Sequence, residues 1–319
     1  MQHARTCLLA SMNVISAVPL LFLSLAANAQ SSLNFIALGD WGKVNPDQAA
    51  VAAQMNNIAA TVPLDFIISV GDNFYDDGVN GTEDPQWDNT WNNVYNSLDH
   101  LKPLSWFSVL GNHDYHQNVK PQFEYSKLSA GKWNMDFHYF SREYRNTTSV
   151  KIIYTDSIWL GPDISAGTKI DNPTAKYHEQ LVWLESELKG GVEFDWLIAI
   201  GHYPLYSAGA NGDQKVMKTA LKDLFEKHQV DAYISGHDHN LQHLTKNGIE
   251  YIITGSGALR GKIKRVTSAD TVAFAQEEPG FTVHKITGKT MQVQFISGLT
   301  GDVRHEYTQH AKIRASPIQ

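Results

Sequence analysis

The chain has 319 residues, 42% hydrophobic and 18% charged, a composition that suits one large globular domain or two small ones. Its formal net charge is -7, and no long basic run is present, which argues against nucleic acid or an anionic membrane surface as a partner. A single cysteine, Cys7, excludes a disulfide framework.

Residues 1–29 read as a secretory signal peptide. His3 and Arg5 give a weak basic start, Leu8 to Leu25 is mostly apolar, and Ala27-Asn28-Ala29 has the small-x-small form of a cleavage site. An uncleaved anchor is the plainer alternative, but Ser11, Asn13, Ser16 and Pro19 dilute the apolar run. No second stretch approaches the ~18 apolar residues of a spanning helix, so no stable membrane insertion is expected. Cleavage removes Arg5 and Cys7 and takes the net charge from -7 to about -8. The mature chain then has no thiolate, so any metal is held by carboxylate, amide, imidazole or phenolate, which points away from soft ions. The expected location is outside the cytoplasm: extracellular, periplasmic or lysosome-like.

Leu33–Leu38 is a short apolar run with strand character. Asn45-Pro46 offers an N-cap followed by proline at the first helical position, and Ala49 to Ala59 continues with helical spacing. Asp65–Val70 closes a strand–helix–strand unit. Trp106–Leu110, Val150–Tyr154, Trp196–Ile200, Asp231–Ser235 and Glu250–Thr254 are further buried strands. Asn172-Pro173 opens a helix to about Leu188, and Asp213 opens another to about His228. Phe281–Ser297 reads as a hairpin turning at Thr287-Gly288-Lys289. Residues 76–96 and 112–148 are polar and aromatic-rich and read as surface loops that wall a site. The expected architecture is α/β, a four-layer α/β/β/α sandwich of two mixed sheets flanked by helices, over residues 30–304. The tail, residues 305–319, has little pattern.

Five segments end alike, with an apolar run, a glycine and then a metal-binding type of residue. They are Ala37-Leu38-Gly39-Asp40, Ser69-Val70-Gly71-Asp72-Asn73, Val109-Leu110-Gly111-Asn112-His113-Asp114, Ala199-Ile200-Gly201-His202 and Ile234-Ser235-Gly236-His237-Asp238-His239. In α/β sheets ligands bind just beyond the carboxyl ends of strands, and glycine there lets the chain turn sharply. Each donor taken singly has a plainer reading: Asp40, Asp72 and Asn112 as turn residues, His202 as a hydrogen-bonded structural histidine, His237 and His239 as a surface pair. Together, Asp40, Asp72, Asn112, His202, His237 and His239 are too many for one tetrahedral ion and suit two ions sharing a carboxylate.

With Gly42, Phe74, Tyr75, Tyr203, Pro204 and Asn240 added, these motifs resemble the calcineurin-like metallophosphoesterases. Within them they closely resemble the small, mammalian-type purple acid phosphatases, from about Asn34 to Gly257. Many metallophosphoesterases carry Gly-Asp-x-His-Gly in the first motif; here it is Gly39-Asp40-Trp41-Gly42, without the histidine. The resemblance supplies Tyr75 instead, a hard phenolate donor that favours Fe³⁺; the plainer role for Tyr75 is an aromatic loop anchor. The resemblance implies the metallophosphoesterase fold, Fe³⁺ on Asp40, Asp72, Tyr75 and His239, and a divalent ion (Fe²⁺, Zn²⁺ or Mn²⁺) on Asp72, Asn112, His202 and His237. It implies that His113 protonates the leaving alkoxide, and that Fe³⁺ acidifies a water strongly enough to supply hydroxide in acid. His116 is either a helper of that site or an exposed loop residue, and the latter is preferred.

The implied function is hydrolysis of small-molecule or protein phosphomonoesters by a monomeric acid phosphatase, with no nucleic-acid partner. A phosphodiesterase or nucleotide pyrophosphatase on the same scaffold, and an iron-binding redox protein generating reactive oxygen, are the competing readings. The mammalian relatives restrain activity with a disulfide near an exposed loop; the corresponding stretch, Ser157 to Lys176, has no cysteine, though Ala166-Gly167-Thr168-Lys169 is flexible in composition. Trp87, Trp91 and Tyr206 are candidates to stack on an aromatic leaving group, with core packing the commoner fate of such residues.

Overall fold

The computed structural model describes residues 32–161 and 170–314; the leader at 1–29 and the loop Ala166-Gly167-Thr168-Lys169 lie outside the described residues. In chain order the elements are β1 (Leu33–Leu38), α1 (Pro46–Ala59), β2 (Phe66–Ser69), β3 (Ser105–Ser108), α2 (Lys120–Leu128), β4 (Trp133–Asn134), β5 (Phe140–Arg145), β6 (Ser149–Tyr154) and α3 (Ser157–Leu160). There follow α4 (Pro173–Gly190), β7 (Trp196–Ile200), α5 (Lys215–Lys227), β8 (Ala232–Ser235), β9 (Leu241–Lys246), β10 (Ile249–Thr254), β11 (Thr271–Gln276), β12 (Gly280–Thr287), β13 (Thr290–Ser297) and β14 (Val303–His310). Two seven-stranded sheets form, ordered β14-β13-β12-β1-β2-β3-β4 and β11-β9-β10-β8-β7-β6-β5. Both are mixed: β1 runs parallel to β2 and antiparallel to β12, while β10 runs parallel to β8 and antiparallel to β9.

The strand period explains the layering. Side chains alternate across a strand, and the central strands are apolar on both faces. Phe35 and Ala37 of β1 pack between the sheets with Ile198 and Ile200 of β7 and Ile234 of β8. Their neighbours Ile36, Leu38, Leu197, Ala199 and Tyr233 face the other way, towards α1, α4 and α5. Four layers follow, as the sequence implied. The N-cap at Asn45 also holds: its side chain accepts from the Gln48 N–H at 2.8 Å, with Pro46 in the first turn.

Three sequence expectations are corrected. Residues 76–96 and 112–148 are not simply loops, since they contain a π-helical segment (Trp87–Asn96), α2, β4 and β5. Their aromatics mark burial: Trp87, Trp91, Trp106 and Trp133 gather around Trp41 and Phe74, and Trp87 stacks on Tyr125 at 3.7 Å. Trp87, Trp91 and Tyr206 are therefore core residues and do not stand free at a substrate mouth. Second, residues 305–310 belong to β14, which pairs with β13 along the sheet edge. It escapes pattern reading because an edge strand with a largely solvated face lacks apolar alternation.

Third, Asp213 does not cap α5, whose N-cap is Gln214 without a side-chain bond. The Asp213 carboxylate instead accepts from the Ser207 N–H, the Thr267 and Ser268 hydroxyls and Lys218 Nζ, tying the 207–213 loop to the chain after β10. Burial alone would raise its pKa, but Ser268, Thr267 and Lys218 outweigh burial and pull it down to about 2. A depressed carboxylate stabilises the fold above its unfolded pKa, and that contribution disappears as pH falls towards the folded value. Asp213→Asn is expected to destabilise by about 2 kcal/mol at pH 6, a gap that narrows as pH falls below ~4. Urea unfolding of both proteins across that range checks this, and equal stability at pH 6 would refute it.

Candidate metal centre

The two sheets bring their donors to one end. Asp40 follows β1, Asp72 follows β2 and Asn112 follows β3, all from the first sheet; His202 follows β7 and His237 follows β8, from the second. The close approach explains the glycines. A Cβ on Gly111 would collide with the Asp72 carboxylate, and one on Gly236 with the Asp40 carboxylate. Asp40, Asp72 and His237 themselves adopt left-handed backbone, with φ of 56°, 52° and 67°. Such conformations are unfavourable for residues with a Cβ and concentrate at functional sites.

The donors fall into two sets that meet at Asp72. On one side Tyr75 Oη lies 2.6 Å from Asp72 Oδ2, 3.1 Å from Asp40 Oδ1 and 3.3 Å from His239 Nε2, and His239 Nε2 lies 3.3 Å from Asp40 Oδ1. On the other side His202 Nε2 lies 3.1 Å from Asn112 Oδ1 and 3.5 Å from Asp72 Oδ1, and His237 Nδ1 lies 3.2 Å from Asn112 Oδ1. Ligand atoms of Asp40, Asp72 and His202 all lie within 4.8 Å of one another. All seven residues singled out as ligands in the sequence thus converge.

Their chemistry fits cations. The phenol has one proton for two carboxylates, so acceptors face acceptors. His202 Nδ1 donates to the Val70 carbonyl at 3.0 Å, so in the neutral ring Nε2 is a lone pair directed at two further acceptor oxygens. Burial opposes a charged His202, yet Asp72 and Asp40 outweigh it and raise its pKa: the site's anions draw in positive charge. Burial, then Asp40 and Asp72, push the Tyr75 phenol well above its ordinary range, so phenolate forms there only beside a compensating cation. Burial, with His202 next, pushes His237 down to about 3 and leaves a neutral imidazole.

Asp72 is held on its outer side by the His113 N–H, which donates to Oδ1 at 2.9 Å. The His113 ring packs on the Tyr75 ring at 4.3 Å, and its Nδ1 donates to the Asp76 carbonyl at 2.6 Å. Gly42 stands where the first-motif histidine would be, and Trp41 before it is fully buried, its indole N–H donating to Ser69 Oγ at 2.7 Å. Behind the donors lie supports that sequence reasoning missed. Asp114 accepts from the Gly111 and Asn73 N–H groups and from Gln122, which fixes the third segment against the second. The Ser157 hydroxyl accepts from the His202 and Tyr203 N–H groups and anchors the fourth. Asp114 was visible within the third motif; Ser157 carries no signal, because its role depends on β6 and β7 lying side by side.

A two-sheet α/β sandwich whose strand ends present this donor set defines a metallophosphoesterase, and the chain belongs to the calcineurin-like phosphoesterase family, which matches residues 33–241. Among curated proteins it is similar to tartrate-resistant acid phosphatase type 5 of Rattus norvegicus, at 32% identity over 89% of this chain and 93% of that one. It is also similar to purple acid phosphatase 17 of Arabidopsis thaliana, at 30% identity over 92% of this chain and 88% of that one. Among solved structures, GAP50, described as the anchor in the inner membrane complex of Plasmodium, superposes with a TM-score of 0.81 at 26% identity, covering 89% of this chain and 90% of that one.

Proposed function

We propose that this protein is an exported acid phosphatase that hydrolyses phosphate monoesters at a binuclear Fe³⁺–divalent metal site. The carrying observation is the double donor set: Tyr75 with Asp40, Asp72 and His239 on one side, His202, Asn112 and His237 with Asp72 on the other. The phenol makes the first set the harder one and assigns it Fe³⁺; the imidazole- and amide-rich second set suits Fe²⁺, Zn²⁺ or Mn²⁺. When bound, the two cations neutralise the phosphate and supply an activated water. The protein's part is to hold the Asp72 carboxylate with one oxygen turned to each set, and to present His113 beside them. With Nδ1–H donating to the Asp76 carbonyl, the imidazolium form of His113 keeps its Nε2–H for the leaving oxygen and ends as the neutral ring once that proton is delivered. Export rests on the apolar stretch and Ala27-Asn28-Ala29 of the leader; among the described residues no helix is long and apolar enough to cross a membrane.

Tyr75 favours this reading over a diesterase, and the intact donor set with His113 beside it favours hydrolysis over a redox role or a scaffold like the Plasmodium anchor. Purified protein is expected to hold one iron and one further metal per chain, to be purple, and to turn over a monoester faster than a diester at about pH 5. Tyr75→Phe is expected to lose the purple band, which comes from phenolate bound to Fe³⁺. Metal analysis and visible spectra of both proteins test this, and a band retained in Tyr75→Phe would overturn the iron assignment.

A further inference from the structure

The 3-10 turn that follows Asn112 carries two imidazoles, His113 and His116, and the function above uses only one. We propose that His116 is a positioning residue for His113, a role that rests on the proton-donor reading of His113. His113 and His116 begin and end a single 3-10 turn, which puts their rings side by side with centroids 4.7 Å apart. The His113 ring thus contacts both the Tyr75 ring, at 4.3 Å, and the His116 ring.

Both rings also address one atom. His113 Nδ1 lies 2.6 Å and His116 Nδ1 3.1 Å from the Asp76 carbonyl oxygen, which has two lone pairs and accepts from both. The Asp76 carboxylate in turn accepts from Lys43 Nζ at 2.9 and 2.8 Å. His116 Nδ1 lies 3.2 Å from Asp77 Oδ1 as well, which fixes its own ring. An exposed histidine–aspartate pair by itself contributes little. Here the pair orients a ring that contacts His113 and shares an acceptor with it. The shared carbonyl engages the Nδ1–H of both rings, so in the imidazolium form the Nε2–H of His113 is the proton left for the leaving oxygen.

The expected signature is a dependence on the leaving group. An alkoxide needs the proton, whereas para-nitrophenolate leaves without one. Because a small misplacement of a proton donor is costly, His116→Ala is expected to lower kcat on glycerol phosphate about tenfold, and on para-nitrophenyl phosphate less than about twofold, with KM little changed. His116→Asn, whose side-chain amide can donate where Nδ1 did, is expected to restore most of the loss. His113→Ala is run beside them on the full-length metal-loaded protein. If His113→Ala lowers alkyl-phosphate turnover while His116→Ala does not, or if His116→Ala lowers both substrates equally, the positioning role is wrong and the phosphatase reading stands. If His113→Ala leaves alkyl-phosphate turnover intact, the proton-donor reading falls and takes this inference with it.

Discussion

Asp72→Asn is expected to abolish turnover, by at least about 10³-fold, and to lower the metal content of the purified protein. Asp72 is the one residue common to the two donor sets, with Oδ2 beside Tyr75 and Oδ1 beside His202 and the His113 N–H. Asparagine keeps the shape but removes a negative charge and turns one oxygen into an N–H₂ group, a donor that cannot bind a cation. Asp40 would remain as the site's sole carboxylate, with the Tyr75 phenolate as the other anionic donor, because Asn112, His202, His237 and His239 are uncharged in the forms that bind. A second consequence concerns stability. Asp40 and Asp72 are both buried beside each other, with the Tyr75 phenol between them, so they offer bound cations two carboxylates at once. Metal loading is therefore expected to stabilise the wild type far more than Asp72→Asn. Thermal unfolding of both proteins with and without chelator, alongside metal analysis and turnover at acidic pH, checks both halves. Full occupancy of both metals in Asp72→Asn would show that the carboxylate does not serve the two sets together.

The strand ends were readable because geometry forces a rare composition there. Gly111 and Gly236 have no room for a Cβ, since the Asp72 carboxylate of the neighbouring strand and the Asp40 carboxylate of the other sheet occupy the space, and the residue after each turn is a donor. β1, β2 and β3, and β7 and β8, run parallel, which brings the ends of those segments to one edge of each sheet. What stayed hidden depends on partners distant in sequence. The left-handed backbone of Asp40, Asp72 and His237 has no compositional mark, because the rule that reserves such angles for glycine is overridden where the side chain is required. The Asp76 carbonyl is a main-chain atom, so its orienting role leaves no trace in residue type. Trp87 and Trp91 misled in the other direction, as aromatic density between polar residues read as loop when it marked a helical face packed on Trp133.

His113→Ala is expected to separate catalysis from metal binding. His113 stands outside both donor sets: its Nδ1 is occupied by the Asp76 carbonyl and its ring by contacts with Tyr75 and His116, so only its backbone N–H reaches Asp72. Truncating the side chain leaves that N–H in place. Metal content and colour are therefore expected to match the wild type, while turnover of an alkyl phosphate falls by ~10²–10⁴-fold, the usual worth of a positioned proton donor. The loss should lie in kcat more than in KM, because a proton delivered to a departing oxygen is felt in the transition state and hardly in the bound substrate. Spectrum, metal analysis and steady-state kinetics on one preparation supply the three readings. Unchanged turnover with unchanged colour would point instead to an iron-binding redox protein for which hydrolysis is incidental. A loss of colour along with activity would mean that His113 supports the Tyr75 side of the site through their 4.3 Å ring contact, and that its role is structural.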